Sequence, residues 1–317
     1  MNIVALEPCL AELVCALGRV DGLKGASQRC VLPETLATLP RVTRDPGQGG
    51  GAFPVAPFIT EHLHGEEEVD LEALLALNPD LVLTSVRGAS GEEAGVTAKL
   101  SEILSSLAGH EVKVRSFRPT TLESVFTTVV EVGRTIGVPE RGVELANRMK
   151  AQLMDWADSF YDRMKNKRVT FLQSVEPLRL AGYWIPDMIR LCSAQSQEPP
   201  RGEAGSEVTW AQIVQFRPDV IVVAPAGEGM NETLRWFPRL EQLPGWEDVP
   251  AVKRGEVVFA PGESFFYAPG PRLVESMGVL ISAIGGLESG YITPRDSFYR
   301  LRWLELHRHR LGEGGKR

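Results

Sequence analysis

LEALLALNPDLVL, residues 71–83, has a near copy in WAQIVQFRPDVIV, residues 210–222. Each opens with apolar residues at helical spacing, stops at a Pro-Asp pair (Pro79-Asp80, Pro218-Asp219), and continues as an unbroken apolar run. Proline lacks the N–H and crowds the preceding turn, so a helix ends there. A continuous run of Leu, Val and Ile suits a strand covered on both faces of a parallel sheet. The offset from Pro79 to Pro218 is 139 residues, about the length of one domain, so the chain reads as two similarly built lobes.

Working outward, short apolar runs alternate with helical patterns, the mark of βαβ units around a mainly parallel sheet. The pattern predicts strands at 2–6, 23–27, 80–84 and 112–116, and again at 169–173, 219–224 and 256–260. It predicts helices at 9–18, 186–192 and 272–284, and long loops at 44–58, rich in Gly and Pro, and at 195–207. Between the halves, 121–136 is helical in pattern and Gly137-Val138-Pro139 breaks it. Residues 140–165 then hold no proline and only Gly142, with Leu145, Met149, Leu153, Trp156 and Phe160 at helical spacing. As one helix that stretch spans roughly 39 Å. The expected organisation is a lobe over 1–118, a stiff helical connector over 119–166, and a second lobe over 167–317.

The net charge of −7 and a pI near 5.4 exclude an extended cationic face of the kind nucleic acid requires. The basic run Arg300, Arg302, His307, Arg308, His309, Arg310, Lys316 and Arg317 reads as a solvated tail. Cys9, Cys15, Cys30 and Cys192 form no CxxC pair, which argues against a zinc site and fits a reducing compartment. No basic, apolar and small-residue series of an export signal stands ahead of Ile3, and no run is long enough to span a membrane. From these residues the expected location is the cytoplasm.

Several stretches together resemble the class III solute-binding proteins, which serve cobalamin, haem and iron-siderophore importers. They are ALEPCLAE (5–12) with Ala16-Leu17-Gly18, VDLE (69–72) running on to Asp80-Leu81-Val82, AGYWIPDMI (181–189), LPGW (243–246) and YAPGPRLV (267–274). The last three point to the cobalamin-binding branch. The resemblance covers residues 2–285. It implies an α/β fold of two Rossmann-like lobes joined by a long rigid helix, with the ligand held in the cleft between them. It also implies a non-enzymatic protein with no cofactor of its own, binding a corrinoid. Members of the family present one glutamate per lobe to arginines of a membrane transporter. Glu72 matches the first, seven residues before Pro79, but Ala211 stands at the second, seven before Pro218. A methyl group cannot accept the charge-assisted hydrogen bond, so a transporter partner is in doubt. The alternatives are an importer component whose signal lies ahead of this start, and a tetrapyrrole-metal chelatase.

The candidate ligand-binding residues follow from that fold. Pro8 and Cys9 open the first helix, whose leading N–H groups suit an anionic group. Gln28-Arg29 and Arg87 follow strands whose ends face the cleft. Tyr183, Trp184, Phe265, Phe266 and Tyr267 lie in loops after strands, where flat apolar faces suit a macrocycle. His62, His64 and Glu66 to Glu68 resemble a chelator on paper, yet read better as a solvated acidic loop, and no metal is expected. No catalytic residue is expected either. Ser85, Ser90 and Ser264 lie outside a GxSxG elbow, and Glu263 has no evident partner.

Overall fold

The computed structural model describes residues 1–30, 33–44, 67–86, 92–197 and 201–301. Arg87, His62, His64, Glu66, Gly47 to Gly51 and the basic residues from Arg302 onward lie outside these. Contacts divide the chain into two compact units, Met1–Pro119 with Phe126–Asn147 and Thr120–Val125 with Arg148–Arg317.

The first unit runs β1 (Ile3–Ala5), α1 (Pro8–Ala16), β2 (Leu23–Ala26), β3 (Thr43–Arg44), β4 (Glu68–Val69), α2 (Leu71–Ala76), β5 (Leu81–Thr84), α3 (Glu93–Ala108) and β6 (Lys113–Ser116). Its main sheet has the order β2-β1-β5-β6 with every pairing parallel, while β3 and β4 form a separate antiparallel ladder. Because β1 and β5 are covered on both faces, every residue in them is buried. This is why their sequences do not alternate. Val4, Leu6, Leu74, Val82, Leu100, Leu104 and Val114 form the core between that sheet and its helices.

Two long helices follow, α4 (Leu122–Thr135) and α5 (Pro139–Ser159), then a short turn of helix, α6 (Tyr161–Met164). The sequence reading of a single helix to Lys165 is too long. The regular turns stop at Phe160, whose φ of −111° is not helical. Gly142, the one glycine of the stretch, has a steric purpose. A Cβ built on Gly133 of α4 would stand 2.8 Å from the Gly142 Cα, so the two helices cross backbone to backbone.

The second unit continues β7 (Arg168–Val175), β8 (Leu178–Leu180), α7 (Ile185–Leu191), β9 (Gln195–Ser196), α8 (Trp210–Phe216), β10 (Val220–Val223), α9 (Met230–Leu234), α10 (Phe237–Glu241), α11 (Pro250–Arg254), β11 (Val257–Phe259), α12 (Leu273–Gly285) and β12 (Tyr299–Leu301). Its sheet is β12-β11-β10-β7-β8, with β9 beside β7. The β7, β9, β10 and β11 pairings are parallel, and β8 and β12 are antiparallel edges. Helix α12 is buried at Leu273 and from Ser276 to Gly285, and its hydroxyls Ser276 and Ser282 are sealed with it. Lys167 Nζ donates to Ile284 O at 2.6 Å, and Arg300 donates to Ser282 O at 2.9 Å and Ala283 O at 3.2 Å. Cations at the carboxyl end of a helix satisfy its orphan carbonyls and its dipole. Arg300, also paired with Glu256, is therefore a half-buried cap rather than the start of a solvated tail.

The repeated Pro-Asp stretch folds alike in both places. Helices α2 and α8 begin at side-chain caps, Asp70 accepting from Ala73 N at 3.0 Å and Thr209 forming a capping box with Gln212. Each ends with a left-handed residue before the proline, Asn78 at φ 49° and Arg217 at φ 54°. Asp80 then accepts the N–H of Asn2 at 2.6 Å, and Asp219 accepts that of Arg168 at 2.9 Å. Asn2 stands just ahead of β1, which pairs with β5, and Arg168 begins β7, which pairs with β10. The aspartate thus pins the neighbouring strand at the same point in each unit. Burial opposes the charge on Asp219, but the Arg168 N–H and the Arg254 and Arg168 guanidiniums outweigh it and hold its carboxyl below the usual range.

Candidate functional site

In an open parallel sheet, loops at the carboxyl ends of the strands converge on the ligand side. In the first unit these are the segments after β1 and β2. Pro8 stands in the first turn of α1, where its missing N–H costs nothing, and Glu7 at the N-cap adds no side-chain bond to the helix. Cys9 is buried, and burial, followed by Glu7, Glu12 and Cys30, pushes its thiol well up. A neutral, enclosed thiol is a packing group and not a thiolate ligand. After β2, Gln28 is half-buried and Arg29 exposed, with Arg29 Nε 3.2 Å from Glu67 Oε1.

In the second unit the loops after β8, β10 and β11 meet in an aromatic cluster. Trp184 Nε1 donates to Phe266 O at 2.7 Å in a buried bond. The Phe266 ring stands edge-on to Phe171, centroids 4.9 Å apart, and Phe265 lies beside it at 6.2 Å. Phe266 N donates to Ser276 Oγ at 3.0 Å, and Tyr267 Oη donates to Ala224 O at 2.5 Å. Burial pushes the Tyr267 phenol well above its ordinary value, so it stays a neutral donor. Tyr183 stacks on Trp184 with centroids 5.8 Å apart and planes inclined by 24°.

The structure sorts the expected aromatic residues. Phe266 is 1% exposed and Trp184 6%, so both are core side chains that shape the loops; a buried indole must spend its N–H internally. Tyr183 and Tyr267 are half-buried. Tyr183 and Phe266 also adopt φ of 54° and 73°, a backbone region that bulky side chains avoid at a cost of about 1–3 kcal/mol.

Three glycines make this packing possible. A Cβ on Gly182 would meet Glu203 O at 2.4 Å, one on Gly205 would meet Leu180 O at 2.2 Å, and one on Gly262 would meet Pro225 O at 1.8 Å. The sequence carries all three, but with no signal that sets them apart from other loop glycines.

Glu72 is exposed on α2, and Ala211 is exposed on α8. Among the described residues no group of three or more His, Cys, Asp or Glu side chains could hold a metal. A pocket of about 330 Å³ lies in the first unit against α3 and β6, lined by Glu93, Thr97, Ser101 and Arg115 among others. It includes none of the expected ligand residues.

The periplasmic binding protein family model matches residues 3–263. The chain belongs to the periplasmic binding protein family. An ABC transporter substrate-binding lipoprotein of Bacillus subtilis, YvrC, is 21% identical over 293 residues, 89% of this chain and 79% of the relative. A vitamin B12-binding protein of Yersinia pestis is 24% identical over 243 residues, 75% of each chain. A periplasmic heme-binding protein of Pseudomonas aeruginosa superposes with a TM-score of 0.65 at 20% identity, covering 95% of this chain and 97% of that one.

The fold is that of the class III periplasmic binding proteins. The family consists of solute-binding proteins, so the chain is a binding protein and not an enzyme, and the chelatase alternative falls. The cytoplasmic location expected above is also overturned. That expectation rests on the residues around Met1, whereas the matching family is periplasmic and the Bacillus relative is a transporter lipoprotein.

Proposed function

We propose that this periplasmic binding protein is the substrate-binding component of an ABC importer for a tetrapyrrole-type ligand, a corrinoid or a haem. The family match carries the binding role, and relatives named for vitamin B12 and heme narrow the chemistry. The aromatic cluster at the carboxyl ends of β8, β10 and β11 supports the same class. Tyr183 and Tyr267 lie along its edge, with Phe265 buried beside Phe266 behind them, and flat rings bury much macrocycle area at little entropic cost. In the first unit, Pro8 and Cys9 would shape the floor of the loop after β1, with Gln28 and Arg29 beside them. The position of Arg87 remains an expectation from sequence. Transporter docking would rely on Glu72, with Ala211 giving van der Waals contact alone where a charge pair is otherwise made.

The test is a titration of the whole chain with cyanocobalamin, cobinamide, haem and a ferric siderophore, followed by absorbance and calorimetry. Saturable one-to-one binding of a corrinoid or haem, weakened by Tyr183→Ala and by Arg29→Ala, supports the proposal. Binding of the siderophore alone, or of none of the four, refutes it.

A further inference from the structure

We infer that Glu67 is a positioning residue for the ligand-binding segment after β2, an inference that rests on Gln28 and Arg29 contacting the ligand as proposed above. The acidic run reads from sequence as solvated, yet the Glu67 side chain is 7% exposed. Its Oε2 accepts from two hydroxyls, Ser27 Oγ at 2.8 Å and Thr43 Oγ1 at 2.6 Å. An ionised carboxylate only accepts, so it fixes the direction of both protons and leaves each hydroxyl oxygen to receive a backbone N–H. Thr43 Oγ1 receives that of Gln28 at 2.9 Å, and Ser27 Oγ receives that of Arg29 at 3.1 Å. The second oxygen, Oε1, stands 3.2 Å from Arg29 Nε as an ion pair without hydrogen-bond geometry, which places a negative charge beside that side chain.

One carboxylate therefore orders the backbone of both expected contact residues and sets its charge beside the side chain of one. Arg41 completes the frame from the other side by donating to Ser27 O at 3.1 Å and Cys30 O at 3.0 Å. The chain brings Glu67 there through the β3–β4 ladder, in which Thr43 pairs with Val69 and Arg44 with Glu68. A loop held this way binds without first losing freedom, and that preorganisation appears as affinity. Glu67 also keeps the Arg29 charge compensated, which favours a ligand group that accepts a directed hydrogen bond over one that needs a bare cation.

Glu67→Gln keeps the size and removes the charge, and Thr43→Val removes one hydroxyl, with Thr43→Ser as its rescue. In the ligand-free protein, amide exchange at Gln28 and Arg29 should quicken about tenfold in Glu67→Gln. At Gln28 it should quicken in Thr43→Val and return in Thr43→Ser. Whichever of haem and cyanocobalamin the native chain binds should bind Glu67→Gln about tenfold more weakly. Unchanged exchange overturns the inference, as does faster exchange with affinity within about twofold of native. If Arg29→Ala and Gln28→Ala also leave affinity unchanged, the ligand reading of this loop has failed. If they weaken binding and Glu67→Gln does not, the positioning role alone has failed. If the native chain binds neither probe, exchange decides the anchoring by itself.

Discussion

Replacing Gly262 by alanine tests how the aromatic loop is held. The added Cβ would stand 1.8 Å from Pro225 O, 2.6 Å from Pro225 C and 3.1 Å from Tyr267 Cε2. Ordinary carbon–oxygen contact needs well over 3 Å, so the two backbones must part by more than an ångström. The bonds near that seam are Tyr267 Oη to Ala224 O at 2.5 Å, Ala260 N to Val223 O at 3.0 Å and Glu263 N to Glu228 O at 3.1 Å. Losing one or two costs about 0.5–1.5 kcal/mol each, and overpacking adds about 1–3 kcal/mol. A total of about 1.5–6 kcal/mol lowers the melting temperature of a unit this size by about 3–24 °C. The assay is thermal unfolding followed by circular dichroism and calorimetry, with Gly95→Ala as the control. Gly95 lies in α3 with nothing within 4 Å of its added Cβ and no left-handed backbone, so its substitution should gain up to about 1 kcal/mol. Were Gly262→Ala to melt within 1 °C of the native protein while the control behaved as stated, the close approach to Pro225 would be refuted.

Trp184→Phe keeps the ring and leaves Phe266 O buried without its donor, a loss of about 1–3 kcal/mol in urea unfolding; no loss would show that the indole bond contributes nothing. Asp219→Asn should destabilise by about 1.5–3 kcal/mol at neutral pH. Because the folded carboxyl titrates below the unfolded one, the native advantage is complete above the ordinary aspartate value near 4 and fades as pH falls through the lower folded value. Urea midpoints from pH 6 to pH 3 check this, and a gap that widens on acidification contradicts it. Burial pushes the Cys30 thiol up to about 12 and the Cys9 thiol upward as well, so in the folded chain an aromatic disulfide reagent at pH 8 should label half-buried Cys15 first. Mass-mapped labelling of Cys9 or Cys30 ahead of Cys15 would argue against their enclosure.

The frame was legible because its signals are local and repeated. Pro79-Asp80 and Pro218-Asp219 mark both a helix stop and a strand start, and their periodicity predicts every long parallel strand to within about two residues. What escaped has no local signal. Strands β8 and β12 are three residues each and exist through partners on β7 and β11. The Arg300 cap depends on where α12 ends, and Glu67 is indistinguishable in sequence from the acidic residues beside it. The location failed for a different reason: the residues near Met1 say nothing of how the family's members are addressed.

Backbone strain separates frame from site. The left-handed residues Asn78, Arg217 and Ser193 end α2, α8 and α7, a task that such a conformation commonly performs. Tyr183 and Phe266 have no such task. Tyr183 begins the turn before α7, and Phe266 lies between two aromatic neighbours seven residues ahead of α12. Both are bulky, and both belong to loops that the sequence marks for the ligand. Each is held by bonds a relaxed loop would not need: Tyr183 N to Glu203 O at 2.7 Å, and Phe266 gripped by Ser276 Oγ and the Trp184 indole. Strain of about 1–3 kcal/mol persists only where surroundings over-determine it. Here the over-determining contacts are those of Trp184 and of Gly182 and Gly205, whose packing leaves no room for a Cβ. If Tyr183 and Tyr267 meet the ligand as proposed, the core residues Trp184 and Phe266 would act one step removed from it, by holding those two side chains in fixed poses.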